Sequence, residues 1–270
     1  MPILNKDMSL CISLAGRPSN LGTRFHNFLY DELGLNFIYK AFTTDDIVGA
    51  IAGVRALGIR GCSVSMPFKE AVIPLVDVIE ESASAIESIN TIVGDGGVLT
   101  ASNTDYEAVA ELIAEHELDP ATSVLVRGSG GMAKAVIAAF RGAGFDDVTV
   151  LARNTAAASA IADKYGYRAT STEPAPGHAI IVNVTPLGMK GAEADALAFT
   201  TAHIEAAETV FDVVAFPAET PLIRAARDTG TAVITGAEVI ALQAARQFAR
   251  YTGVIPTPDQ IARASAFSRE

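Results

Sequence analysis

The residues with the most readable chemistry lie in one stretch, Val124-Leu-Val-Arg-Gly-Ser-Gly-Gly-Met-Ala-Lys134. Apolar positions at 124–126 read as the end of a buried parallel strand. Gly128, Gly130 and Ala133 follow in G-x-G-x-x-A spacing, and a helical pattern through Met132, Val136, Ala139 and Phe140 begins at once. Strand, glycine turn and helix in that order form a dinucleotide site. The first glycine permits the tight turn, the second lets backbone approach a pyrophosphate, and the small third residue lets the helix pack close to the strand. The helix N-terminus offers unpaired N–H groups and the positive end of its dipole to the phosphates. Further polar segments stand at or beside the ends of predicted strands, where open α/β sheets bind ligands. They are Ser63-Val-Ser-Met-Pro-Phe-Lys69, Ser88-Ile-Asn-Thr91, Asn103-Thr-Asp105 and Asn183-Val-Thr-Pro-Leu-Gly-Met189. Taken singly, each also fits a structural reading: Thr104 and Asp105 at a helix start are ordinary capping residues.

The elements that must position these segments alternate. Strands are expected at 10–14, 37–42 and 61–65, with helices over 24–33 and from a Thr44 cap towards Leu57. That rhythm argues for a parallel α/β sheet. Residues 69–80 and 83–87 read as helical. A hairpin is expected over 89–93 and 98–101, turning at Gly94-Asp-Gly-Gly97, and Asn103-Thr-Asp105 opens a helix through Ala114. Asp119-Pro120 reads as the seam before the nucleotide unit. Beyond the glycine turn, strands at 148–152, 179–183, 209–214 and 231–235 alternate with helices over 155–165 and 221–229. A long helix from Gly236 to about Tyr251 returns towards the first unit. The expected organisation is a substrate-binding and catalytic unit over 1–105, completed by helices within 237–270, and a dinucleotide-binding unit over 106–236.

Bulk composition excludes several classes. The chain has 270 residues, half of them hydrophobic and only 19% charged, so a packed core is expected rather than disorder. The net charge of −11, without a basic run, argues against nucleic acid and anionic membrane as partners. Cys11 and Cys62 sit in apolar strand-like runs and read as buried thiols of a reducing compartment. The four histidines have no ligand spacing, so no metal is expected. The N-terminal segment lacks the pattern of a signal peptide, and no apolar run reaches the roughly 20 residues of a membrane span. The expected location is cytoplasmic.

Taken together and in order, the segments resemble the shikimate dehydrogenase family. The set comprises Ser63–Lys69, Ile89-Asn-Thr91, Asn103–Asp105, Gly128–Gly131, Asn183–Met189, Phe211-Asp-Val-Val214 with Thr220-Pro-Leu222, and the run from Gly236 to Gln243. The chain is most similar to a divergent, shikimate dehydrogenase-like branch. The resemblance implies an α/β protein with an N-terminal substrate domain, a Rossmann-type NADP-binding domain and a cleft between them. It implies reversible hydride transfer between 3-dehydroshikimate and shikimate, or a close analogue. Lys69 matches the family's catalytic lysine and Asp105 its partner aspartate. Reducing a ketone requires a proton at the forming alkoxide, and an ammonium supplies one well when its pKa falls towards the working pH. Ser65, in place of a family threonine, matches a substrate contact, as do Asn90 and Gln243. Gly128, Ser129, Gly130, Gly131, Met132, Ala133, Arg153, Asn154, Thr185 and Gly236 match positions at the cofactor. The partners so implied are a small cyclic hydroxy acid and NADP, with the chain a monomer or homodimer.

Three departures bear on substrate and cofactor. Asn20 and Gly22 stand where the family carries two serines that grip the substrate carboxylate, and a hydrogen bond to a charged group is worth roughly 1.5–3 kcal/mol. Ala215 replaces a family tyrosine. Arg153 is kept at the expected 2′-phosphate site, but the basic residue a turn later is Ala157. No acidic residue ends the second strand of this unit, so the usual NAD ribose contact is missing and NADP is favoured, with NAD as the alternative. Quinate-type, aminoshikimate-type or broader hydroxy-acid dehydrogenation, and a non-catalytic binding module, are the competing readings. Retention of Lys69 and Asp105 argues against the last.

Overall fold

Alternation of apolar side chains across β1 (Ser9–Ala15) organises the N-terminal unit. Ile12 and Leu14 enter one core cluster and Cys11 the other, as expected of a strand whose successive side chains point to opposite faces. The computed structural model describes residues 4–270. It divides into two compact units, one ending at Thr104 and resuming at Ala241–Glu270, the other Asp105–Ile240.

In the first unit, α1 (Leu21–Glu32), β2 (Phe37–Thr43), α2 (Ile47–Ala56) and β3 (Gly61–Val64) follow β1. A 3-10 turn at Ile73–Leu75, β4 (Val78–Ile79), α3 (Glu81–Ser84), β5 (Thr91–Asp95) and β6 (Val98–Ser102) come next. The sheet order is β2-β1-β3-β5-β6-β4. β1 is parallel to β2 and β3, but β5 runs antiparallel to both β3 and β6. The sheet is therefore mixed, where the strand–helix rhythm predicts a parallel one. The hairpin at Gly94–Gly97, with positive φ at Gly96 and Gly97, brings in the antiparallel pair.

The helix expected over 69–80 is absent. Pro74 lies at the start of a single 3-10 turn, and β-branched Val78 and Ile79 pair with β6 instead. The cap of α2 is Asp46, whose carboxylate accepts from the Gly49 N–H at 2.8 Å. The expected cap, Thr44, uses its hydroxyl on the backbone of Asp46.

The second unit holds α4 (Thr104–Glu115) from Asp105 onwards, β7 (Val124–Arg127), α5 (Gly131–Gly142), β8 (Val148–Leu151), α6 (Thr155–Tyr165) and β9 (Arg168–Thr170). It continues through β10 (Ile180–Asn183), α7 (Thr201–Ala206), β11 (Thr209–Asp212), α8 (Pro221–Asp228), β12 (Ala232–Thr235) and the start of α9 (Gly236–Thr252). The rest of α9 and α10 (Pro258–Ser268) belong to the first unit. Asp119-Pro120 is thus not a seam. Gly142 of α5 leaves room for the Tyr106 hydroxyl, which a Cβ there would meet at 2.8 Å, so α4 packs with the nucleotide-type unit.

Every strand pair of this second sheet is parallel, in the order β12-β11-β10-β7-β8-β9. Counted from β7, that is the doubly wound order of dinucleotide-binding sheets, with the switch point between β7 and β10. The strands at 124–127, 148–151, 180–183 and 209–212 are almost wholly buried, which explains their continuous apolar sequence. β9 escapes the sequence pattern because Arg-Ala-Thr is a short edge strand, largely exposed.

Candidate functional site

In the first unit, β3 ends beside the segment that carries Lys69. The Ser65 N–H donates to the Leu14 carbonyl at 2.9 Å, and the Phe68 N–H returns to the Ser65 carbonyl at 3.0 Å. Phe68 and Val72 then enter the core, which anchors the segment on both sides of Lys69. Lys69 itself is half-buried and Ser65 exposed. The Lys69 carbonyl accepts from the Ile89 N–H at 2.8 Å, so the chain at Lys69 is fastened to the residue preceding Asn90.

Asn90 is buried at 3% exposure and joins several segments. Its Oδ1 accepts from the Thr104 N–H at 2.8 Å, the Thr104 hydroxyl at 3.1 Å and the Thr91 hydroxyl at 2.8 Å. Its Nδ2 donates to Gln243 Oε1 at 3.4 Å. Four residues later on α9, Gln247 donates to the Thr91 hydroxyl at 3.0 Å and the Asn90 carbonyl at 3.3 Å. Residues four apart share a helix face, and this face of α9 is an amide pair set against β5. Asn90 and Gln243 are therefore together, next to the backbone of Lys69. Gln247, Thr91 and Thr104 are partners that sequence reasoning did not assign. The only available signal for Gln247 was its i+4 spacing from Gln243.

Asn20 precedes α1 without a side-chain capping bond. Gly22 lies in the first turn of α1, where an added Cβ would meet the Tyr39 hydroxyl oxygen at 3.5 Å, an ordinary contact. Nothing in the backbone therefore requires glycine there. Asp105, half-buried, stands in the first turn of α4, immediately after the Thr104 held by Asn90.

In the second unit, Gly128 occurs at φ +124°. A Cβ there would come within 2.7 Å of Val184 Cγ2 and 3.0 Å of Thr185 Cγ2. Only glycine fits, because the turn passes directly over the loop after β10. Cβ atoms built at Gly130 and Gly131 meet nothing within 4 Å, so the backbone at the start of α5 is left uncovered. α5 has no acidic residue in its first turn and no side-chain cap. Ser129 and Met132 are half-buried and Ala133 is buried against the sheet. A helix start with open N–H groups and a bare glycine surface suits an anionic diphosphate.

The loop after β10 is wired rather than free. Thr185 donates its hydroxyl to Asn183 Oδ1 at 2.6 Å, and its N–H reaches the same oxygen at 3.0 Å. Asn183 Nδ2 donates to Asp212 Oδ1 at 3.0 Å. Asp212 also accepts from the Val214 N–H at 3.1 Å and the Thr220 hydroxyl at 2.6 Å, and Thr220 caps α8. Burial pushes the Asp212 carboxyl up to about 6, while these donors oppose the shift. Gly236 packs so close to the chain after β11 that a Cβ would lie 2.4 Å from the Val214 carbonyl, so its glycine is demanded by packing. Arg153 is exposed after β8, and the neighbouring Asn154 caps α6, accepting from the Ala157 N–H at 3.1 Å.

Residues 19–92 match the family description of a shikimate dehydrogenase substrate-binding domain. Across 99% of its length the chain is 55% identical to a shikimate dehydrogenase-like protein of Haemophilus influenzae, 99% of which is covered. The chain belongs to the shikimate dehydrogenase family. Among solved structures, a shikimate 5-dehydrogenase-like protein superposes with a TM-score of 0.97 at 55% identity, with 99% of this chain and 100% of that one covered. Shikimate 5-dehydrogenase of Thermus thermophilus, solved with NADP(H) and shikimate, superposes with a TM-score of 0.87 at 29% identity, with 97% and 100% covered. Membership gives the two-part α/β architecture a common origin with these proteins. No helix among the described residues is long and apolar enough to cross a membrane, and none of their histidine, cysteine and acidic side chains cluster as a metal site.

Proposed function

We propose that the chain is an NADP(H)-dependent oxidoreductase that interconverts 3-dehydroshikimate and shikimate, or a close cyclic hydroxy acid. The observation that carries this reading is the network around Asn90. The buried Asn90 amide joins Thr104 to Gln243 of α9, and the Ile89 N–H just before it fastens the Lys69 carbonyl. Family membership supplies the reaction class, and the uncovered glycine start of α5 supports a dinucleotide. Gly130 and Gly131 would offer backbone N–H groups to the pyrophosphate, and Arg153 would meet the 2′-phosphate. When bound, NADP supplies the hydride chemistry.

The chain's own residues do the rest. Lys69 delivers the proton to the substrate oxygen in reduction and removes it in oxidation, and Asp105 orients the ammonium. Asn90 and Gln243 hydrogen-bond ring hydroxyls. Asn90 Oδ1 is already saturated by donors, so its Nδ2 side is the one that serves substrate.

The test is steady-state kinetics with shikimate, quinate and related cyclic hydroxy acids, each with NADP and NAD. Turnover of shikimate or a close analogue with NADP is expected, and Lys69→Ala should reduce kcat by about 10²–10⁴-fold while NADP affinity stays unchanged. Unaltered turnover in that variant removes Lys69 from the mechanism.

A further inference from the structure

Tyr39 and Ser63 have no part in the reaction described so far, yet they form a tight pair in the same unit. The Tyr39 hydroxyl lies 2.7 Å from Ser63 Oγ. Tyr39 has almost no freedom. Its ring stacks on His26 with centroids 4.4 Å apart and planes 11° from parallel. Its backbone is held by both halves of the Asn27 amide, at 3.0 and 2.8 Å. At 3% exposure it is buried, whereas Ser63 is half-exposed.

Ser63 lies within β3, two residues before Ser65, which follows the end of the strand. Its register neighbours are Ser13 on β1 and Thr91 on β5. Thr91 is already engaged by Asn90 and Gln247. A row of hydroxyls therefore runs from Ser13 through Ser63 to the Asn90–Gln243 network. Gly22 on α1 lies against the Tyr39 hydroxyl, where a Cβ would make an ordinary contact.

A hydroxyl has one proton to give and two lone pairs to receive with. Burial raises the Tyr39 phenol above its ordinary value, with the Ser63 contact opposing that shift, so Tyr39 stays protonated at any working pH. Either hydroxyl of the pair can donate, and Ser13 is a second hydrogen-bond partner of the phenol. With the phenol proton on Ser63 Oγ, the Ser63 proton is directed away from Tyr39.

We propose that Tyr39 is a positioning residue for substrate recognition: by donating to Ser63 it aims the Ser63 proton at an oxygen of the bound cyclic hydroxy acid. This rests on the function proposed above and adds Ser63 as a substrate contact and Tyr39 as the residue that sets its direction.

The experiment compares wild type, Tyr39→Phe, Ser63→Ala, Ser63→Thr and the Tyr39→Phe/Ser63→Ala double variant. KM and kcat for the preferred cyclic hydroxy acid are measured with saturating NADP. Tyr39→Phe and Ser63→Ala should each raise KM about 3–10-fold, the worth of one neutral hydrogen bond, with kcat within about twofold of wild type. The double variant should be no worse than Ser63→Ala alone, because both substitutions remove the same directed proton. Ser63→Thr, which keeps the hydroxyl, should restore KM. An unchanged KM in Tyr39→Phe, or additive effects in the double variant, overturns the positioning role while leaving the activity standing. Should Tyr39→Phe fail to fold, Ser63→Ala against Ser63→Thr decides: equal KM values overturn the contact. A wild-type protein inactive on every cyclic hydroxy acid overturns the proposed function, and this inference with it.

Discussion

Both units place polar side chains near the carboxyl ends of parallel strands, and they use them in opposite ways. In the nucleotide-type unit, Asn183, Thr185, Asp212 and Thr220 hydrogen-bond one another and the backbone of their own loops. That network is closed on itself, and what it leaves uncovered is bare glycine backbone at the start of α5. In the other unit the network opens outward: Asn90 and Gln243 meet through a long 3.4 Å contact, and Ser63 and Lys69 are half-exposed. Behind that surface the polar accounting is incomplete. His26 is wholly buried among Phe25, Tyr30, Tyr39, Phe248 and Tyr251, and neither ring nitrogen completes a hydrogen bond. One unit uses side-chain polarity to fix loops and presents backbone. The other presents the side chains themselves and buries an imidazole among aromatic rings beneath them.

The largest effect that tests this contrast is on Asp212. Asp212→Ala removes the acceptor of three donors, from Asn183, Val214 and Thr220. Each donor left unpaired costs about 1–3 kcal/mol, and partial relaxation brings the total to roughly 3–5 kcal/mol. Urea unfolding of the second unit measures it. A loss below about 1 kcal/mol would mean that the closed network does not hold the strand ends, and the contrast between the units would collapse.

The next effect is a pH slope with opposite signs in the two units. Burial pushes His26 down to about 3, with Gln247 opposing. The unfolded chain therefore takes up a proton below pH 6.5 that the fold refuses. Stability from this group is full above 6.5 and is lost as pH falls towards 3, at about 1.4 kcal/mol per pH unit. Asp212, raised to about 6 from 3.8, behaves in reverse. Its contribution is full below 3.8 and is lost as pH rises through 6. Between pH 4 and 6 the two slopes offset each other. His26→Phe should expose the Asp212 slope, so that stability falls as pH rises across that window, as read from urea midpoints at pH 4, 5 and 6. A variant with the same pH dependence as wild type would show that His26 is protonated at no cost.

How much of this the sequence revealed follows from the same contrast. The glycine turn is local. Gly128, Gly130 and Ala133 lie within six residues, and the flanking buried strands are continuous apolar runs, so strand, turn and helix were all legible. The first unit's network joins residues from 90 to 247. No spacing rule connects Gln247 to Thr91 or Tyr39 to Ser63, and the resemblance to a family named only some of the positions. The helix expected at 69–80 failed because apolar periodicity could not anticipate that Val78 and Ile79 would find a strand partner in β6. Phe211-Asp-Val-Val214 and Thr220-Pro-Leu222 were visible as motifs. Their reason, a buried carboxylate receiving Thr220, was not.

The smallest predicted effects separate presentation from support within two adjacent residues. Arg153 is exposed after β8, and Asn154 beside it caps α6. If Arg153 reads the 2′-phosphate, Arg153→Ala weakens NADP binding by about 10–100-fold, the worth of a charge-assisted hydrogen bond, with NAD affinity and stability unchanged. Equal losses for both cofactors would remove the 2′-phosphate role. Asn154→Ala should do the converse. It leaves the Ala157 N–H without its acceptor and costs about 1 kcal/mol of stability, while the preference for NADP over NAD persists. Titration of both cofactors against both variants, with urea midpoints alongside, tests the pair. If Asn154→Ala also abolishes the preference, the cap itself takes part in cofactor recognition, and the nucleotide-type unit presents side chains as the other unit does.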